Sequence, residues 1–364
     1  MLDLSKLFID VFDPEEGETA AVAVDLPHGV FADTDEWQQR RSMAERWRAA
    51  LLDLGRRRGF TVMPLIEFAA SGTHNGPLPE SARVGREAMT FETIASGTTL
   101  LLALTEFSAS APLIGWTKRF PQLRVASMPR VAPRMESTAL AADYAQVARS
   151  CARLRDALAE TDFADIEFST DDKFRFDFRF REPEVDDGRL PRNQPPPRLI
   201  NLPSGEGYIA AYKGECSEAS ETEGVLPVWW DDELVRLRIE GNRVREVVGA
   251  DDASTNLRTF LFTDSARCNV AELGLGCNPM ARVWGNVLED EKAGPHIALG
   301  RSEHLGGTVG PEAFADPRNV WHEDFVYARE SPIQIRTLTL VDSTGRRRLL
   351  YRDGSYAPEL EVGI

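Results

Sequence analysis

The first half of the chain alternates between short apolar runs and longer amphipathic stretches. Residues 20–25, AAVAVD, are an apolar run ending in an acid, and residues 35–58 place apolar side chains at helical spacing before Gly59. The same pattern predicts further strands at 60–66, 98–107 and 123–129, and further helices at 83–96 and 138–161. Strands alternating with helices of this length predict a parallel sheet with right-handed crossovers. No GxGxxG follows any of these strands, which argues against a dinucleotide site. The 71–77 segment, SGTHNGP, reads as a turn-rich loop in which His74 is solvated.

Beyond residue 161 the pattern changes. Residues 166–180 show aromatic alternation of the strand type, and 181–198 form a Pro-, Gly- and charge-rich loop. Residues 234–249 and 333–354 each read as a hairpin, with a helix at 253–263 between them. The expected fold class is α/β: an N-terminal α/β domain with a parallel sheet (1–165), then a β-rich α+β domain (166–364) expected to bind metal and carry the chemistry.

Composition narrows the function. The chain has 364 residues, 42% of them hydrophobic, and a net charge of −16. That much negative charge disfavours a nucleic-acid partner. No apolar run approaches the ~20 residues of a membrane span. The first residues, MLDLSKLFIDVFDPEE, turn acidic where a secretion signal would be basic and then apolar. A cytoplasmic protein with no membrane partner is expected. The four cysteines, at 151, 216, 268 and 277, contain no CxxC and read as buried or free thiols. Of five histidines, His296, His304 and His322 cluster near the C-terminus.

The chemistry-bearing residues concentrate between Asn201 and Asp324. Glu206 follows the turn Pro203-Ser204-Gly205, and Glu272 sits beside Gly-Leu-Gly. His296 precedes the strand-like IALG, and His322 and Asp324 are two residues apart in WHEDF. In an extended strand, side chains at i and i+2 share a face, so the imidazole and carboxylate would project together. Glu206, Glu272, His296, His322 and Asp324 make two imidazoles and three carboxylates. A mononuclear catalytic zinc needs three protein ligands; five donors with three carboxylates suit two divalent ions about 3.5–4 Å apart.

The blocks NLPSGE, AELGLGCNP, DEKAGPHIALG and HED, in this order, resemble those of the M29 metalloaminopeptidases, the aminopeptidase T and aminopeptidase S group. The resemblance spans about residues 195–330. It implies a two-metal site with zinc, cobalt or manganese, in which Glu206 and Glu272 match the glutamate ligands. His296 matches the first histidine, and His322 and Asp324 match the closing pair. It also implies a small peptide or aminoacyl substrate and, by analogy, a homodimer. The family tyrosine seven residues after the first histidine is Glu303 here, and the proline closing the first block is Ala211. The same fold group includes an iron-dependent ring-opening dioxygenase of 2,5-dihydroxypyridine.

Three readings follow. The first is an aminopeptidase in which Glu303 or a non-bridging glutamate such as Glu206 is the general base. Asp324 would be the bridging ligand, Lys292 could orient a carboxylate and His304 could be an extra ligand. The second is a mononuclear Fe(II) dioxygenase holding its iron on His296, His322 and Asp324. The third, prompted by the missing tyrosine, is a non-peptidase member of the fold that binds a modified peptide.

Overall fold

The computed structural model describes residues 2–196, 198–360 and 362. It is a mixed α/β structure in two compact units. The first comprises Met1–Ala148 and Gly188–Ser204, the second Arg149–Asp187 and Gly205–Ile364.

The first unit is built on a mostly parallel sheet. Its strands run in the order Leu199–Asn201, Arg124–Pro129, Leu100–Thr105, Thr19–Leu26, Ile66–Ala69, Ser81–Val84, Glu87–Thr90. All neighbours up to Ile66–Ala69 are parallel, and the last two pairings are antiparallel. The helix Asp35–Arg58 matches the sequence reading. Thr34 caps it by accepting the Trp37 N–H, three arginines occupy its last turn, and Gly59 ends it at φ +81°. Its buried side chains include Trp37, Met43, Trp47, Leu51 and Leu54.

Two local expectations are corrected here. The strand expected over 60–66 is split, because Pro64 lacks the N–H a ladder needs. Thr61–Val62 pairs with Thr19–Ala20, and Ile66–Ala69 resumes beside Ala23–Leu26. The helix expected over 83–96 is a hairpin, Ser81–Val84 and Glu87–Thr90, followed by the short helix Phe91–Gly97. Gly85, at φ +62°, makes the tight turn that breaks the helical pattern. His74 is also not merely solvated: its Nδ1 accepts the Ser108 N–H at 3.1 Å.

The expected division after residue 165 differs from the observed one. The helix Tyr144–Ala159 begins in the first unit and continues in the second. The expected 181–198 loop is divided between the two. Glu184–Asp186 pairs with Glu206–Tyr208. Residues 188–204 return to the first unit, where Leu190 N–H donates to Val11 and Leu199–Asn201 extends the sheet. The buried Arg124 reinforces that return. It pairs with Glu18 at 2.8 Å and donates to the carbonyls of Phe12 and Leu190.

The second unit contains two antiparallel sheets. The larger has the order Arg243–Val248, Glu233–Glu240, Glu223–Trp230, Lys173–Asp177, Phe163–Phe168, Ile335–Val341, Arg347–Arg352, Ser355–Tyr356. Both expected hairpins, over 234–249 and 333–354, lie in it. The smaller has the order Glu184–Asp186, Glu206–Ala210, Val270–Gly276, Pro295–Gly300, His322–Val326. One face of this five-stranded sheet carries Ile209, Leu273, Leu275, Ile297, Leu299 and Phe325, all buried. Gly207 on that face lets the helix approach: a Cβ there would stand 3.1 Å from Leu154 Cβ. The opposite face carries the charged residues.

Candidate metal centre

The cross-strand register explains why distant residues meet. Glu206 pairs with Gly276, and Ala210 with Glu272. Gly274 pairs with His296, and Ala298 lies between Glu272 and Asp324. His322 pairs with Gly300. Alternation then puts Glu206, Glu272, His296, His322 and Asp324 on one face. Their neighbours there include Ala210, Gly274, Gly276, Ala298 and Gly300, small residues that let other groups pack closely on this face. The register slips between Val270 and Glu272, just before Glu272 enters the regular ladder opposite Ala298.

The five side chains form two overlapping groups. Glu206, Glu272 and His296 bring one donor atom each to within 4.8 Å of one another, and so do Glu272, His322 and Asp324. Glu272 belongs to both. Its Oε1 lies 3.7 Å from His296 Nε2 and its Oε2 lies 3.5 Å from His322 Nε2. Asp324 Oδ1 is 3.4 Å from His322 Nε2 and 3.9 Å from His296 Nε2. The sequence reading assigns the bridge to Asp324, whereas the carboxylate with one oxygen toward each imidazole is Glu272.

Two glycines make the packing possible. A Cβ on Gly274 would stand 1.9 Å from His296 Nε2, so the imidazole fills the space of the missing side chain. A Cβ on Gly276 would stand 2.2 Å from the Glu291 carbonyl, so the 291–294 segment can lie against the strand. That approach delivers Lys292, fully buried, to the centre. Its ammonium donates to Glu206 Oε1 at 2.5 Å, pairs with Glu291 Oε1 at 2.6 Å and lies 3.7 Å from Asp186 Oδ2.

The electrostatics describe a cation-seeking cluster. Burial alone would push both imidazoles down, yet the surrounding carboxylates raise His296 and His322 to about 10. Asp324 is held well below the usual carboxylate range: burial opposes this, but His322, His296 and Lys292 outweigh it. Glu291 is pushed up to about 8 by burial, with Lys292 pulling the other way.

The residues fit divalent ions. Glu206 Oε2 is buried and accepts no hydrogen bond, although it lies 3.4 Å from His296 Nε2. An unsatisfied buried acceptor costs about 1–3 kcal/mol, and more when charged; a cation beside it removes that cost. Carboxylates and imidazoles without a thiolate suit zinc, manganese, cobalt or iron better than softer ions.

Glu303 is placed differently from the other predicted residues. It opens a short 3-10 turn, Glu303–Leu305, and belongs to neither donor group. Arg301 Nε donates to its two oxygens at 2.7 and 2.8 Å, and its Oε2 lies 3.7 Å from His304 Nδ1. Burial would raise its carboxyl, but His304 and Arg301 pull it down to about 2. The His304 ring packs edge-on against His322, with centroids 5.1 Å apart.

The sequence reading gives Lys292 as an orienting group or a structural salt bridge, and the structure shows it ion-paired to Glu206 and Glu291; Glu291 and Asp186 were missed. The DEK tripeptide carries no local signal for the burial of Glu291 and Lys292, which follows from the strand packed against them. Asp186 has no local signal, since its position depends on pairing with Glu206 across a long loop.

The fold is similar to that of two solved structures, among others. One is 2,5-dihydroxypyridine dioxygenase from Pseudomonas putida KT2440: TM-score 0.63, 14% identity, covering 97% of this chain and 96% of that one. The other is wild-type AmpT from Thermus thermophilus: TM-score 0.55, 16% identity, covering 97% and 98%. No protein-family model matches the chain, and no curated protein matches it by sequence. Among the described residues, no helix is long and apolar enough to cross a membrane.

Proposed function

We propose that this protein is a metal-dependent hydrolase acting as an aminopeptidase on small peptide or aminoacyl substrates. The observation that carries the reading is Glu272, one carboxylate serving two donor groups, each with its own imidazole. Such a pair of groups suits two divalent ions, which when bound supply an acidified water and polarise a carbonyl.

The chain's own residues divide the remaining work. Lys292 fixes Glu206 through Oε1 and leaves Oε2 directed at the centre. Glu206 is therefore a ligand rather than the general base. Glu303, ionised and held by Arg301, is too weak a base to take a proton near neutrality. Its carboxylate suits the other role open to it, accepting hydrogen bonds from a substrate's free ammonium group.

The mononuclear Fe(II) dioxygenase is the second reading. It is favoured by the approach of His296 and His322 to one Asp324 oxygen, at 3.9 and 3.4 Å. The deciding experiment is metal analysis of protein purified without added metal, paired with an anaerobic aminoacyl-anilide screen. Two divalent ions per chain with oxygen-independent release of the anilide is the expected result. One iron per chain, with oxygen consumed on a dihydroxypyridine and no anilide release, would replace the hydrolase by the dioxygenase.

A further inference from the structure

We infer that the two donor groups are unequal and fill in a fixed order. The group Glu272–His322–Asp324 takes the first ion tightly, and the group Glu206–Glu272–His296 takes the second weakly and exchangeably. This rests on the two-ion reading and adds to it which side chains hold the ion that can be lost.

Two independent observations point the same way. The first concerns the imidazoles. His322 Nδ1 lies 2.7 Å from the Arg301 carbonyl. A carbonyl can only accept, so in a metal-binding imidazole the proton sits on Nδ1 and the lone pair on Nε2, directed at Glu272 and Asp324. His296 is anchored less well: its Nδ1 is 3.5 Å from the Gly294 carbonyl. An imidazole whose rear nitrogen is firmly held is the better ligand, because its tautomer and orientation are set before the ion arrives.

The second concerns the carboxylates. Glu206 gives one oxygen to the Lys292 ammonium at 2.5 Å and has only the other for an ion. Its donor strength is shared with a permanent cation. Among the described residues no lysine or arginine forms an ion pair with Asp324, which lies against the two imidazoles and Glu272 and feels Lys292 only from beyond ion-pair distance. Glu291 and Asp186 flank the ammonium at 2.6 and 3.7 Å and keep it in place. Lys292 is thus a positioning residue for Glu206, and it distinguishes two otherwise similar groups.

Partners behind the ligands change metal affinity by about 10–100-fold, so two such differences should separate the steps by at least tenfold. The test uses chelator-treated full-length protein titrated with Co(II), followed by calorimetry and visible absorption. Wild type should bind two ions in two resolved steps. His296→Ala should lose the weak step and keep the tight one within about threefold. His322→Ala should lose the tight step. Lys292→Gln should narrow the gap between the steps, chiefly by strengthening the weaker one. Circular dichroism of each stripped variant separates lost binding from lost fold. Should a histidine variant fail to fold, limiting chelator on wild-type protein still reports whether one ion leaves first. Two ions with equal affinity, or loss of the tight step in His296→Ala, would overturn the order while leaving the two-ion reading intact. A single ion at saturation would overturn the two-ion reading itself.

Discussion

Gly274 and His296 face each other across two antiparallel strands, and the imidazole occupies the volume a side chain on Gly274 would need. The consequence is direct. Gly274→Ala puts a carbon 1.9 Å from Nε2, and a buried ring backed by Gly294 has little room to retreat. Overpacking of this kind costs about 1–3 kcal/mol of stability. Affinity for the ion on His296 should fall by about 10–100-fold, as for loss of a supporting partner. Gly97→Ala is the control, since an added Cβ there meets nothing within 4 Å. Equal Co(II) binding by the two variants would show that His296 does not hold an ion.

The shared position of Glu272 predicts an asymmetry between two conservative substitutions. Glu272→Gln removes the anionic oxygen from both groups and should leave metal content near zero after desalting. Asp324→Asn weakens only the His322 group and should retain about one ion per chain at saturating metal. Metal analysis of both variants decides. One ion retained by Glu272→Gln and none by Asp324→Asn would restore Asp324 as the bridge.

The raised imidazoles predict opposite pH trends for stripped and loaded protein. In the metal-free state His296 and His322 sit at about 10, against 6.5 for a free histidine. A group raised on folding contributes stability that is full below its unfolded pKa and is lost as pH climbs through the folded value. Glu291, raised to about 8, has the same sign. The metal-free protein should therefore lose stability between about pH 6.5 and 10. Metal binding needs neutral imidazoles, so affinity should rise over the same interval. The difference in melting temperature between Co(II)-loaded and stripped protein should widen from pH 6.5 to 9. A difference that is flat or shrinks would count against these imidazoles as ligands.

How far the sequence carries depends on the range of the interaction. The HxD spacing places His322 and Asp324 on one face because alternation is local, and the strand His322–Val326 provides it. The helix Asp35–Arg58 is equally local, with its cap, basic last turn and terminal glycine all written in neighbouring residues. The error over 83–96 is also local: Gly85 was read as a helix position when its left-handed φ makes it a turn. The role of Glu272 was not legible, because it depends on pairing its strand with Glu206–Ala210 on one side and Pro295–Gly300 on the other, both far away in sequence. Neither was the depth of Lys292, which follows from the missing Cβ of Gly276, sixteen residues upstream. Charged residues in a DEK run are ordinarily solvated, and only the strand packed beneath them makes this one a fully buried cation.

Glu303 offers the sharpest test of the aminopeptidase reading, since it stands where the resembling family has a tyrosine. The side chain touches Arg301 and His304 and belongs to neither donor group, so Glu303→Gln should leave metal content unchanged. Its carboxyl is lowered from an ordinary 4.5 to about 2, with burial opposing and His304 and Arg301 prevailing. A lowered group contributes stability present above its unfolded pKa and lost as pH falls through the folded value. Glu303→Gln should therefore be less stable than wild type at pH 6, and the two melting curves should converge toward pH 2. In catalysis, a carboxylate that receives the substrate's ammonium acts mainly in binding, so the variant should raise KM for an aminoacyl-anilide more than it lowers kcat. Glu303→Tyr replaces an acceptor-only group by a neutral O–H donor and should retain turnover. Asp324→Asn, by contrast, should lose activity more completely than Glu303→Gln. The decisive measurement is kcat and KM for all three variants with metal content determined on the same samples. If Glu303→Tyr and Glu303→Gln both abolish turnover with both ions bound, Glu303 is an essential group of a different chemistry, and the aminopeptidase reading falls.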